Sequence, residues 1–236
     1  MSARRWPMST PPDLVILDFD GVVVDSELLS NTLLADFVTQ EGFPATVEHA
    51  IQHYMGRRWE DCALAITRDL GRALPDDFQE RYRTFENGRM RRDVQAIAGV
   101  AAFLAANRQH RFCVASSSNI GWLDHGTDKF ALRPHLGTNL FSATEVARGK
   151  PAPDIFLLAA TRMAVVPGRC VVIEDSVSGV QAAVAAGMTA IGFLGGSHIR
   201  DGHSANLLNA GAHATARDYG EVAELIAFQP PAASAD

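Results

Sequence analysis

The sequence predicts a doubly wound α/β fold, with helices on both faces of a parallel sheet and a helical domain inserted after the first strand. Three observations carry this. Four short apolar runs, at 14–17 (LVIL), 112–115 (FCVA), 171–173 (VVI) and 189–193 (TAIGF), are continuous rather than alternating. That is the pattern of strands covered on both faces. Helical patterns separate these runs, so right-handed crossovers are expected between parallel strands. The interval from about Ser26 to Asp93 has helical patterning and no convincing buried strand.

The elements follow in order. The run LVIL leads into Asp18-Phe19-Asp20-Gly21-Val22. Leu33, Leu34, Phe37 and Val38 then form one apolar stripe, and Gly42 is placed to end that helix. The insert is punctuated by Gly42-Phe43-Pro44, Gly56, Gly71 and Pro75. Ser116 follows FCVA. Pro153 and Asp154 suit a helix start before Ile155, Phe156, Leu158 and Ala159. Glu174 and Asp175 follow VVI. Val177, Val180 and Val184 share a helical face, with Gly187 as the stop. The expected core is 13–25 plus 95–228, and the expected insert is 26–94. Loose ends are expected at 1–12, which has three prolines, and at 229–236, which reads QPPAASAD.

Composition excludes several classes. The chain has 236 residues, 47% hydrophobic and 20% charged, which is incompatible with disorder as the main state. Lys and Arg number 21 against 27 Asp and Glu, a net charge of −6. Such a chain has no global attraction to nucleic acid or anionic membrane, so neither is expected as a partner. Cys62, Cys113 and Cys170 are far apart and form no CxxC pair. Neither a disulfide framework nor a zinc knuckle is expected, Cys113 and Cys170 read as small core residues, and a cytoplasmic location fits best. No apolar stretch has the length of a membrane span, and Arg4 and Arg5 precede no apolar signal region. A monomer is the default expectation.

In an open α/β sheet, ligands bind beyond the carboxyl ends of the strands. Asp18, Asp20, Ser116, Lys150 (in GKPAPD) and Glu174-Asp175 therefore converge on one edge from widely separated places in the chain. An extended strand end would place the Asp18 and Asp20 carboxylates on the same side. Each feature alone has an ordinary reading. An Asp pair after a strand is turn chemistry, a single lysine is solvated, and a serine run caps the next helix. Together they favour catalysis, with Ser116 functional and one of its successors capping. Arg81, Arg83, Arg89, Arg91 and Arg92 are interleaved with Glu80, Glu86 and Asp93, and read as a salt-bridged, solvated face. His49 and His53 have one-face metal spacing but no third ligand motif, and read as surface residues.

The four motifs together resemble the haloacid dehalogenase (HAD) superfamily. More narrowly, they are similar to its β-phosphoglucomutase-like and sugar-phosphate phosphatase group with a helical cap. The carriers are DFDGV from Asp18 to Val22, the serine of VASSS at Ser116, Lys150 in GKPAPDIF, and IEDSVSG at 173–179. The resemblance extends from about Asp13 to Phe228 and implies a Rossmann-like core. It implies Asp18 as a nucleophile that forms an aspartyl-phosphate. Asp20 is implied as general acid and then general base. Ser116 and backbone N–H groups around Gly21 and Val22 would hold phosphoryl oxygens, and Ser117 and Asn119 would contact substrate. Lys150 and Mg2+ would neutralise charge, the ion being held by Asp18, the backbone carbonyl of Asp20, and Asp175 with Glu174. Arg57 or Arg58 would grip a second anionic group from a glycine-centred loop, the equal alternative being a helix–helix turn with exposed arginines. Closure of the insert would hinge near 24–26 and 95–99.

Asp20 separates the chain from dehalogenase and phosphonate-cleaving relatives, which lack it. β-Phosphoglucomutase relatives carry a threonine and a histidine soon after the DxDG motif, and an arginine three residues after the loop glycine. The corresponding residues here are Ser26, Ser30 and Trp59. The expectation is a Mg2+-dependent phosphomonoester hydrolase acting on a small phosphorylated metabolite, a sugar or sugar-acid phosphate. The alternative is a phosphomutase.

Overall fold

A computed structural model describes residues 10–54 and 59–227. By its internal contacts the chain divides into two units, Asp25–Gln95 and the remainder on either side of it. In the larger unit, β1 (Leu14–Leu17) is followed, after the insert, by α5 (Val100–Ala106), β2 (Arg111–Ser116), α6 (Ile120–Lys129), the short α7 (Arg133–Leu136) and β3 (Leu140–Ser142). Then come α8 (Asp154–Arg162), β4 (Cys170–Glu174), α9 (Val177–Ala185), β5 (Thr189–Phe193), α10 (His203–Asn209), β6 (Ala214–Ala216) and α11 (Tyr219–Ile226). The strands pair in the order β3-β2-β1-β4-β5-β6, all in parallel.

This is the doubly wound arrangement, and its order reverses direction around β1. All four apolar runs are strands. β3 and β6 are additional. Each is three residues long and lies at an edge of the sheet, too short to leave a periodic signal. The core beneath the sheet joins Leu14, Ile16, Ile155, Phe156, Val172, Val180 and Leu207, and takes in Cys113 and Cys170 as buried small residues. Pro153 stands at the N-terminal cap of α8, while Gly42 and Gly187 lie just beyond the ends of their helices.

The unit Asp25–Gln95 contains α1 (Glu27–Gln40), α2 (Val47–His53), α3 (Trp59–Leu70) and α4 (Phe78–Asp93). The stripe Leu33, Leu34, Phe37 and Val38 is buried. Its centre is aromatic: Phe37 packs 5.2 Å from Phe78 and 5.5 Å from both Tyr82 and Phe85. Such pairs are worth about 0.5–1.5 kcal/mol each beyond the area they bury. Trp59 stacks on Tyr82, with ring centres 5.7 Å apart and planes 8° apart.

Arg81, Arg89 and Arg92 are salt-bridged as expected, half of the pairs being with Asp93 and half with acids of α1 or the turn after it. Arg81 pairs with Glu41 and Arg89 with Asp36 and Asp93, while Glu86 accepts hydrogen bonds from Ser30 and Tyr82. His49 is part-buried and lies 2.8 Å from Asp69. No helix among the described residues is long and apolar enough to cross a membrane.

Candidate active site

Parallel register brings three strand ends together. Leu17 is level with Val114 of β2 and Ile173 of β4, so the next residues, Asp18 and Glu174, emerge side by side. The Asp18 N–H still donates to Ile173 O (3.0 Å), but the chain then turns. Val23 and Val24 N–H groups both donate to Phe19 O, and the Gly21 N–H donates to Val24 O at 2.7 Å. Tyr219 in α11 donates its hydroxyl to Val22 O (2.7 Å), fixing the turn from below.

This geometry corrects one expectation. The Gly21 N–H, expected to face a phosphoryl oxygen, instead closes the turn. The strand does not extend to Asp20, so Asp18 and Asp20 have separate sets of partners. Gly21 has a φ of +78°, and a Cβ added there would land on the Asp175 carboxylate. Only glycine satisfies both constraints.

Lys150 connects two of the strand-end acids. Its Nζ lies 2.7 Å from Asp18 Oδ1 and 2.6 Å from Glu174 Oε1, with only 5% of the side chain exposed. The ammonium also lies 5.0 Å from the centre of the Phe156 ring. Burial pushes the Asp18 carboxyl up, the Glu174 and Asp175 charges add to this, and Lys150 opposes it. Burial works against the Lys150 charge too, but Asp18 and Glu174 outweigh it and hold the ammonium above its ordinary range. A buried ammonium between two carboxylate oxygens stays charged, and the crowding falls on the acids.

Glu174 is fully buried and saturated. Oε1 faces Lys150, while Oε2 accepts from the Ser176 N–H (2.7 Å) and Ser176 Oγ (2.9 Å). Ser176 also caps α9 by accepting from Gly179 N–H. A Cβ on Gly179 would strike the Glu174 carboxylate. Asp175 is held by histidines on two atoms: His198 Nε2 lies 3.0 Å from Oδ2 and His203 Nε2 lies 2.6 Å from the backbone carbonyl. Oxygens of Asp18, Glu174 and Asp175 all lie within 4.8 Å of one another. Three buried, hard oxygen donors suit a hard divalent cation. The bonds already made by Glu174 direct it to Lys150, leaving Asp18 and Asp175 as the better-placed side chains. The Asp20 side chain is outside this cluster.

Ser116 ends β2, is 1% exposed, and accepts from the Ser118 N–H (3.1 Å), so its hydroxyl proton can point elsewhere. Ser117 is exposed. Asn119 caps α6 by accepting from Trp122 N–H (3.1 Å). The Asp20 carboxylate accepts from Trp122 Nε1 at Oδ1 (2.9 Å) and from Ser118 Oγ at Oδ2 (2.6 Å). Arg57 and Arg58 lie outside the described residues. Sequence reasoning missed Ser118, Trp122, Ser176, His198 and His203. His198 lies in the irregular stretch after β5 and His203 opens α10, and neither belongs to a motif. Trp122 did leave a signal: it lies in the first turn of a helix starting at the carboxyl end of β2.

A family model for haloacid dehalogenase-like hydrolases matches residues 12–187. The chain belongs to this family. It is a HAD hydrolase by sequence as well as by fold. Over 182 residues it is 52% identical to the fructose-1-phosphate phosphatase of Escherichia coli (strain K12), covering 75% of this chain and 94% of that one. Over 187 residues it is 26% identical to the 6-phosphogluconate phosphatase of the same organism, covering 79% and 84%. The crystal structure of a HAD family hydrolase from Deinococcus radiodurans R1, with bound phosphate and sodium, superposes with a TM-score of 0.80 at 30% identity, covering 92% of this chain and 97% of that one.

Proposed function

We propose that this HAD hydrolase is a Mg2+-dependent phosphomonoesterase that acts on a small sugar or sugar-acid phosphate through an aspartyl-phosphate on Asp18. One observation carries the reading. The buried Asp18 carboxylate is anchored by Lys150 and lies within 4.8 Å of Asp175 oxygen. A carboxylate cannot readily approach a phosphate dianion unless positive charge is concentrated at that point. Lys150 supplies part of that charge. Mg2+, held by Asp18, Asp175 and the backbone carbonyl of Asp20, would supply the remainder.

In the first half-reaction an Asp18 oxygen bonds to phosphorus, the ester P–O bond breaks, and Asp20 gives a proton to the leaving oxygen. In the second, water attacks phosphorus, its proton passes to Asp20, and the Asp18–phosphorus bond breaks. The Ser116 hydroxyl donates to a phosphoryl oxygen. The names of the two Escherichia coli relatives support a carbohydrate phosphate as substrate, and the phosphate bound by the Deinococcus protein supports phosphoryl recognition by this fold. Trp59 supports hydrolysis over phosphate migration. At the position where mutase relatives carry an arginine, it stacks on Tyr82.

The test is phosphate release from a panel of sugar phosphates, with isomer formation followed in parallel. Asp18→Asn is expected to remove turnover by about 10^4-fold while leaving the circular dichroism unchanged. An active variant overturns the nucleophile assignment, and isomer formation without phosphate release overturns hydrolysis. Chelation should abolish turnover and Mg2+ restore it. Because burial raises Asp18, its protonated form competes with metal binding, so the half-saturating Mg2+ concentration should rise as pH falls. A pH-independent Mg2+ requirement would remove Asp18 from the ligand set.

A further inference from the structure

Asp20 must carry a proton at one moment and release it at another, so which oxygen carries it matters. The structure gives its two carboxylate oxygens different neighbours. Oδ1 receives the indole N–H of Trp122 (2.9 Å), and Oδ2 receives the hydroxyl of Ser118 (2.6 Å). These donors are not equivalent. An indole N–H can only donate, so the oxygen it faces stays an acceptor. A serine hydroxyl can reverse, donating to a carboxylate and accepting from a carboxylic acid.

We infer that Trp122 is a positioning residue for this reaction, anchoring Oδ1 of Asp20 so that Oδ2, beside Ser118, is the oxygen that gives and takes the proton. The inference rests on the phosphatase reading and deepens it. It gives the acid–base group an orienting partner, the arrangement by which side chains fix a proton-transferring group elsewhere in enzymes.

Both donors are themselves fixed. The Trp122 backbone N–H is tied to Asn119 Oδ1 (3.1 Å). The indole meets Phe19 edge to face (6.3 Å, 85°) and stacks on His125 (5.8 Å, 20°). A Cβ on Gly126, one turn further along α6, would press to 2.6 Å from the Phe19 ring, so Phe19 fills the space beside that helix. Ser118 is held at both ends, its N–H by Ser116 Oγ (3.1 Å) and its carbonyl by the hydroxyl of Ser142 (2.7 Å), a buried residue at the end of β3. The short edge strand β3 thereby contributes to the site without touching Asp20.

The experiment compares leaving groups in wild type and Trp122→Phe, which keeps an aromatic ring and deletes the donor. A sugar phosphate expels a poor alkoxide and needs the proton from Asp20. p-Nitrophenyl phosphate expels a stable phenolate and needs it far less. Misorienting Asp20 should lower kcat on the sugar phosphate by about tenfold or more. On the aryl ester the loss should be under about threefold, with KM changed little on either. Equal losses on both esters would overturn the inference and leave the phosphatase reading standing. A wild type that releases phosphate from neither ester would overturn that reading and the inference with it. A second measurement does not depend on the Trp122 variant folding. With Trp122 retained, its indole N–H resonance should move upfield from the wild-type position on Asp20→Asn, and an unmoved resonance would overturn the hydrogen bond.

Discussion

The two units of this chain use charge in opposite ways. In the sheet unit, Asp18, Glu174, Asp175 and Lys150 are withdrawn from solvent at the strand ends, in a fold whose core beneath is mainly aliphatic. In the helical unit the core is aromatic and most charges pair on the outside, as Arg81 does with Glu41 and Arg89 with Asp93. Burying a charge is unfavourable unless it is paired and hydrogen-bonded. A sequence that places four ionic side chains in its interior, at one edge of one sheet, does so for chemistry. Charges left in water contribute little to stability and leave the helical unit dependent on ring packing.

Equivalent deletions in the two units test this contrast. Lys150→Met leaves two buried carboxylates without their cation. It should lower stability to urea by about 3–5 kcal/mol and turnover by about a thousandfold. Arg81→Met deletes a cation that is 45% exposed and should cost under about 1 kcal/mol. Similar losses in the two variants would dissolve the distinction. Phe37→Ala, within the aromatic cluster, should destabilise by about 3–5 kcal/mol, showing that apolar packing supports the helical unit. A smaller effect is expected for Gly179→Ala, whose new methyl presses on Glu174, at about 1–3 kcal/mol by urea unfolding and with a drop in kcat. If stability falls while kcat holds, Glu174 is structural and Lys150 does not depend on it.

The last and smallest effect concerns Asp93, whose carboxyl is lowered to about 2 by hydrogen bonds from Arg92 and Arg89. Its folded value is depressed, so any stabilisation is present above the unfolded carboxylate pKa of about 4 and is lost as pH falls towards the folded value. Carboxyl NMR should find Asp93 still ionised at about pH 3. An ordinary titration would show that these surface pairs do not persist in solution.

What could be read from sequence follows the same division. β1, β2, β4 and β5 were legible because strands buried on both faces are continuously apolar. Asp18, Glu174 and Asp175 were legible because they follow those strands directly, and Lys150 because it stands in GKPAPD just before a helix start. Ser118, His198 and His203 were not, and Trp122 showed only by its place at the start of α6, because each acts through a long-range hydrogen bond to the side chain or backbone of an acid, and such bonds have no fixed spacing in sequence. The Gly21 N–H was misjudged because the resemblance carried no information on the turn, in which that N–H is already bonded to Val24 O. Trp59 could be aligned but not explained until its stacking on Tyr82 was visible.

The position of β1 has a consequence for how the protein is made. It is synthesised before both of its neighbours in the sheet, Arg111–Ser116 and Cys170–Glu174. At about 5–20 residues per second, the ribosome holds an unpaired, wholly apolar strand for on the order of ten seconds before the first neighbour exists, and for longer before the second. The four helices of the insert are complete in that interval, with their aromatic partners already present. Nascent chains halted after Gln95 should therefore already protect the helical unit from protease while leaving Leu14–Leu17 open to a chaperone. Leu14–Leu17, which leads into Asp18, would wait longest for its first neighbour in the sheet.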